Sequence, residues 1–64
     1  MSSYSLNGTL KDSDGNDVNV GEFAFKREYI TGAIEFYTTQ GFKGELTLTI
    51  EYDDGRKHTH QIKC

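Results

Sequence analysis

The sequence predicts an all-β domain, a five-stranded antiparallel meander. Three observations predict it. Leu46, Leu48, Ile50 and Tyr52 alternate with Glu45, Thr47, Thr49 and Glu51, the period-two signature of a half-buried strand. Asp-Gly steps at 14–15 and 54–55 sit between alternating runs, where hairpin turns are made. No segment reads as a convincing helical stripe.

Residues 1–3 are expected to fray. Tyr4, Leu6, Gly8 and Leu10 then alternate with Ser5, Asn7, Thr9 and Lys11 to give a first strand. A three-residue loop, Ser13-Asp14-Gly15, with Gly15 left-handed, sets Leu10 opposite Val18, Gly8 opposite Val20 and Lys11 opposite Asp17. In the second strand Val18 and Val20 are even while Phe23 and Phe25 are odd. A bulge near Gly21-Glu22 would bring all four onto one face. Lys26 to Tyr29 connects to a third strand, with Ile30, Gly32, Ile34 and Phe36 inward. Gln40-Gly41-Phe42 reads as a loop with an apolar tip.

Strands four and five form a second hairpin. A two-residue turn would set Ile50 against Thr59, a poor match. A three-residue loop at Asp53-Asp54-Gly55 pairs Leu46 with Ile62, Leu48 with His60, Ile50 with His58 and Tyr52 with Arg56. On the other face it pairs Glu45 with Lys63, Thr47 with Gln61, Thr49 with Thr59 and Glu51 with Lys57. Opposite charges and facing threonines favour this register, and a one-residue slip would reverse every face.

Nearly all apolar residues then lie on one side of the sheet, which must be covered. The sheet either curls into a small barrel, the preferred closure, or stacks with a second copy as a homodimer. A chain of 64 residues is one domain, 1–64, with a thin core. The Met1 start suggests a small stand-alone gene product. A single cysteine, Cys64, excludes an internal disulfide framework, and there is no apolar run of membrane-spanning length or signal-peptide pattern. The expectation is a cytoplasmic protein without a membrane role. The net charge of −3 and the scattered Lys and Arg residues are not the footprint of a duplex-DNA binder.

The chemistry-bearing patterns are sparse. His58 and His60 share one strand face and are weak candidates to hold a metal, because zinc sites want three or four ligands. Asp12, Asp14, Asn16 and Asp17 suggest calcium, yet Asp17 and Phe23 stand where an EF-hand loop needs Gly and Glu. No nucleophile elbow or phosphate-binding glycine pattern is present, so no catalytic residue and no cofactor is assigned. The aromatic residues carry the functional expectation. With Phe23, Phe25 and Phe36 assigned to the core, Tyr29, Tyr37 and Phe42 remain as surface rings near Lys26, Arg27 and Lys43. This patch predicts a non-enzymatic interaction module, an adaptor or inhibitor, binding a protein partner there or at an open sheet edge. The alternative use of the patch is single-stranded nucleic-acid binding by base stacking.

Overall fold

The computed structural model describes residues 1–64. Its two hairpins follow from the turn chemistry. β1 (Ser3–Lys11) and β2 (Asp17–Ala24) make the first, β3 (Lys43–Glu51) and β4 (Lys57–Lys63) the second. Each three-residue loop ends on a left-handed glycine, Gly15 at φ 83° and Gly55 at φ 89°. The Asp12 N–H donates to the Asn16 carbonyl at 3.0 Å, and the Tyr52 N–H to the Arg56 carbonyl at 2.8 Å. Asp12 Oδ1 also accepts from the N–H groups of Asp14 and Asn16, both at 2.9 Å, which ties this carboxylate to the turn. The predicted register is found pair for pair along β3 and β4, from Glu45–Lys63 to Glu51–Lys57. Leu10–Val18, Gly8–Val20 and Lys11–Asp17 likewise pair as expected.

Between the hairpins the chain departs from the prediction. The expected third strand is a helix, α1 (Arg27–Thr39). Ile30, Ala33, Ile34 and Tyr37 recur at the i, i+3, i+4, i+7 spacing of one helical face, and all four pack into the core. The same stretch also alternates as Ile30, Gly32, Ile34 and Phe36, so its periodicity fits both structures. Local preference does not favour the helix. β-Branched and aromatic residues abound in it, and Lys26 at its N-cap makes no side-chain capping bond. Three threonines instead return their hydroxyls to the helix backbone: Thr31 donates to the Arg27 carbonyl, Thr38 to those of Ile34 and Glu35, and Thr39 to that of Glu35.

The helix stops at a built terminus. Gly41 is left-handed at φ 83°. Its N–H donates to the Thr38 carbonyl at 3.2 Å, and the Phe42 N–H donates to the Tyr37 carbonyl at 3.1 Å. The Phe42 and Tyr37 rings meet at 5.4 Å, which completes a Schellman motif with its hydrophobic contact. Gln40-Gly41-Phe42 is therefore a helix cap.

The four strands lie in the order β2-β1-β3-β4, every neighbouring pair antiparallel. The chain leaves β2 at one edge, runs back through α1 and re-enters on the far side of β1. The five-stranded meander is thus corrected to a four-stranded antiparallel sheet with one helix. The barrel is corrected as well, because β2 and β4 do not pair and the sheet stays open. The stacked homodimer of one-faced sheets is corrected too: the β1–β2 part of the apolar face is covered within the chain by α1.

The expected bulge does not form either. Pairing of β1 with β2 runs unbroken from Tyr4–Ala24 to Lys11–Asp17. Phe23 accordingly turns to the polar face, and Phe25 lies beyond the strand. The core is Leu6, Leu10, Val20, Ile30 and Leu46, with Tyr4, Ala24, Leu48, Phe42 and Ile62 packed around it. The helix, about 20 Å long at 1.5 Å per residue, lies over β1 and β2. Leu48 and Ile50 on β3 are only half-buried, and His58 and His60 on β4 are exposed.

Gly32 lies on the exposed side of α1, and a Cβ there would meet nothing within 4 Å. Gly32→Ala is expected to raise stability by about 0.5–1 kcal/mol, because glycine loses more backbone freedom in a helix. The melting temperature should rise by roughly 3–6 °C. An unchanged or lower value would show that this segment is not helical in solution.

Candidate functional site

The six residues expected to form one patch are divided between the two ends of α1. Lys26, Arg27 and Tyr29 lie at its start; Tyr37, Phe42 and Lys43 lie at and beyond its end. Tyr37 and Phe42 are half-buried and belong to the rim of the core. Burial pushes the Tyr37 phenol above its ordinary range, and the Glu22 carboxylate adds in the same direction. The fold thus favours the neutral phenol, a contribution present below the usual tyrosine range and lost as pH rises above it. Lys43 pairs with Lys11 across β3 and β1. Lys11 in turn donates to Asp17 Oδ1 at 2.8 Å, a bond that raises its ammonium pKa.

Three rings assigned to the core are instead on the surface. Phe23 is 62% exposed, Phe25 57% and Phe36 55%, beside Tyr29 at 56%. Phe23 and Phe25 meet edge to face with centroids 5.3 Å apart. The Tyr29 hydroxyl donates to Glu22 Oε2 at 3.3 Å, which places the start of α1 against β2. Phe36 is seven residues on, two helical turns along the same side. Its ring meets those of Tyr37 and Phe42 at 5.5 and 6.5 Å.

Phe23 on β2, Phe25 just beyond it and Tyr29 beside Glu22 border an open sheet edge. β2 pairs only with β1, so its outer backbone groups face solvent over an eight-residue strand. β2 carries no lysine, whereas the opposite edge, β4, begins and ends with Lys57 and Lys63. Edge lysines commonly guard against unwanted strand pairing, and β2 has none. The edge was legible from the hairpin, but its aromatic border was not. An unbroken strand two would have put Phe23 outside, and the 30-33-34-37 spacing would have put Tyr29 and Phe36 together.

The remaining candidates are structurally simple. The His58 and His60 rings lie parallel, 8° between planes and 4.9 Å between centroids. Asp54 forms an ion pair with Arg56 at 2.7 Å, and the Arg56 guanidinium lies 5.7 Å from the Tyr52 ring centroid. The N-terminal ammonium of Met1 lies against the Asp53 carboxylate. The surface has no enclosed pocket. No helix is long and apolar enough to cross a membrane. Comparison of the chain with family models, curated proteins and solved structures finds no match.

Proposed function

We propose that the chain is a non-enzymatic protein-interaction module that captures an extended segment at the outer edge of β2. One observation carries this reading: Phe23, Phe25 and Tyr29, each more than half exposed, lie on or beside a strand whose outer edge is unpaired and carries no lysine. A segment adding itself to β2 gains main-chain hydrogen bonds, and its alternate side chains fall on opposite faces of the sheet. On one face they meet Phe23. On the other they meet the flank of α1 bearing Tyr29 and Phe36. Exposed aromatic rings supply large contact areas at low entropic cost, and such residues dominate binding energy. The segment that fits is extended, with apolar residues at alternate positions.

Screening a displayed library of extended peptides tests this. Selected peptides should carry alternating apolar residues, and their binding should perturb the amides of Asp17–Ala24. Phe23→Lys combined with Tyr29→Lys should weaken capture at least about tenfold, the effect of losing roughly 1.4 kcal/mol. Both side chains are exposed, so the melting temperature should change little. Perturbations centred on β4, or capture undiminished in the variant, would reject the reading.

Lys26 and Arg27 adjoin Phe25 and Tyr29 and favour a second reading, stacking of single-stranded bases. Glu22 and Glu28 stand in the same patch and oppose it. Titration with labelled single strands separates the two, since nucleic-acid affinity falls steeply as salt rises.

A further inference from the structure

The stacked histidines lie on the other edge of the sheet, three strands from β2, and nothing in strand capture at β2 uses them. Strand alternation puts both on the helix-side face of β4, with backbone positions about 6.7 Å apart. Their cross-strand partners, Ile50 and Leu48, offer no nitrogen or oxygen side-chain atom to engage them. Neither imidazole takes part in a side-chain hydrogen bond within the chain, so all four ring nitrogens are uncommitted.

We propose that His58 and His60 together chelate a divalent transition-metal ion of the nitrogen-preferring class, Cu2+, Ni2+ or Zn2+, with water filling the remaining positions. Metal–nitrogen bonds of about 2.0–2.1 Å place two adjacent ligand nitrogens roughly 3 Å apart. The parallel rings already face each other at 4.9 Å, and both are exposed. Rotation about their side-chain bonds closes the remaining distance without moving the strand. Imidazole suits these ions, whereas Mg2+ and Ca2+ demand oxygen ligands that this face of β4 lacks. The carboxylate of Glu51 lies on the opposite face, where Lys57 holds it at 4.0 Å. Cys64 is four residues beyond His60, about 13 Å along an extended chain, too far to join. The site is therefore two-coordinate from the protein and open on its solvent side. Protons compete for the same nitrogens, so binding weakens as pH falls.

Thermal melts in a Cys64→Ser background, which removes the only thiol, test the assignment. At about pH 7.5, NiCl2 at about 100 times its Kd should raise the melting temperature by roughly 10–20 °C. MgCl2 should have no effect. His58→Gln and His60→Gln should each abolish most of the rise, and both remain foldable because the replaced rings are exposed. In the parent chain, paramagnetic broadening by Ni2+ should centre on residues 58–60. No rise with NiCl2, a rise retained in either glutamine variant, or broadening centred elsewhere would overturn the assignment.

Discussion

Leu46→Ala is expected to leave a large part of the chain unfolded at 25 °C. Leu46 is fully buried, opposite Gly8 on β1 and Ile62 on β4. It is one of only five buried residues, so little surrounding structure can relax into the space it leaves. Leucine-to-alanine changes at such sites cost about 2–5 kcal/mol, the upper end applying where the cavity does not collapse. A domain of this size has roughly 3–10 kcal/mol in total. The melting temperature should fall by roughly 15–30 °C, with the urea midpoint falling in proportion. Leu48→Ala is the informative control. Leu48 lies two residues along the same face of β3 but is only half-buried. Its loss should be less than half as large. Equal losses would mean that the two leucines are covered alike, against the full burial of Leu46 and the half-burial of Leu48.

The contrast between the two leucines also marks where the sequence was readable. Alternation along β3, the Asp-Gly loops and the matched charges of Glu45–Lys63 and Glu51–Lys57 are local signals that agree with one another. They fixed both hairpin registers. The segment from Ile30 to Tyr37 carries conflicting signals. Its composition favours a strand, its spacing allows either structure, and no N-capping side chain announces a helix. What decides it is tertiary: a four-stranded sheet with one apolar face needs cover, and only this segment is free to supply it. The Gly41-Phe42 cap was visible as a glycine followed by an apolar residue, with Tyr37 five residues before Phe42, but it has meaning only once a helix is entertained.

The structure of this one segment also decides which rings reach the surface. A strand over this segment places Phe23 and Phe36 inside a barrel, with a bulge at Gly21-Glu22 turning Phe23 inward. With the helix in place, Ile30, Ala33, Ile34 and Tyr37 fill that role, and the phenylalanines are released to the surface. The abundance of aromatic residues and the presence of open strand edges are both visible in the sequence. Which rings lie near an edge is not visible there, because which rings are exposed depends on which segment covers the sheet.

Gly8→Val is expected to abolish folding, and Gly8→Ala to destabilise by about 2–4 kcal/mol. Gly8 lies in the middle of β1 at φ 156°, and a Cβ there would stand 2.7 Å from the Glu45 carbonyl oxygen and 2.9 Å from Leu46 Cδ2. The first of these is backbone of the paired strand and cannot swing away. The arrangement is reciprocal. A Cβ at Gly44, at φ 139°, would stand 3.0 Å from both the Thr9 carbonyl oxygen and Leu10 Cδ2. Each glycine faces one of the fully buried leucines across the β1–β3 pairing, and that leucine lays its side chain over the missing Cβ. The two glycines therefore let the central strands approach and let Leu10 and Leu46 reach complete burial beneath the helix. A barrel would have used Gly8 as a point of bending, where alanine is a mild change. The same substitution, glycine to alanine, is thus expected to act with opposite signs at two positions of one small chain: stabilising at Gly32, where nothing opposes a Cβ, and severely destabilising at Gly8. Urea denaturation of the two variants side by side decides the matter. A Gly8→Ala variant within about 0.5 kcal/mol of the parent would mean that β1 and β3 do not come as close as described, and that Leu46 owes its burial to something other than the gap at Gly8.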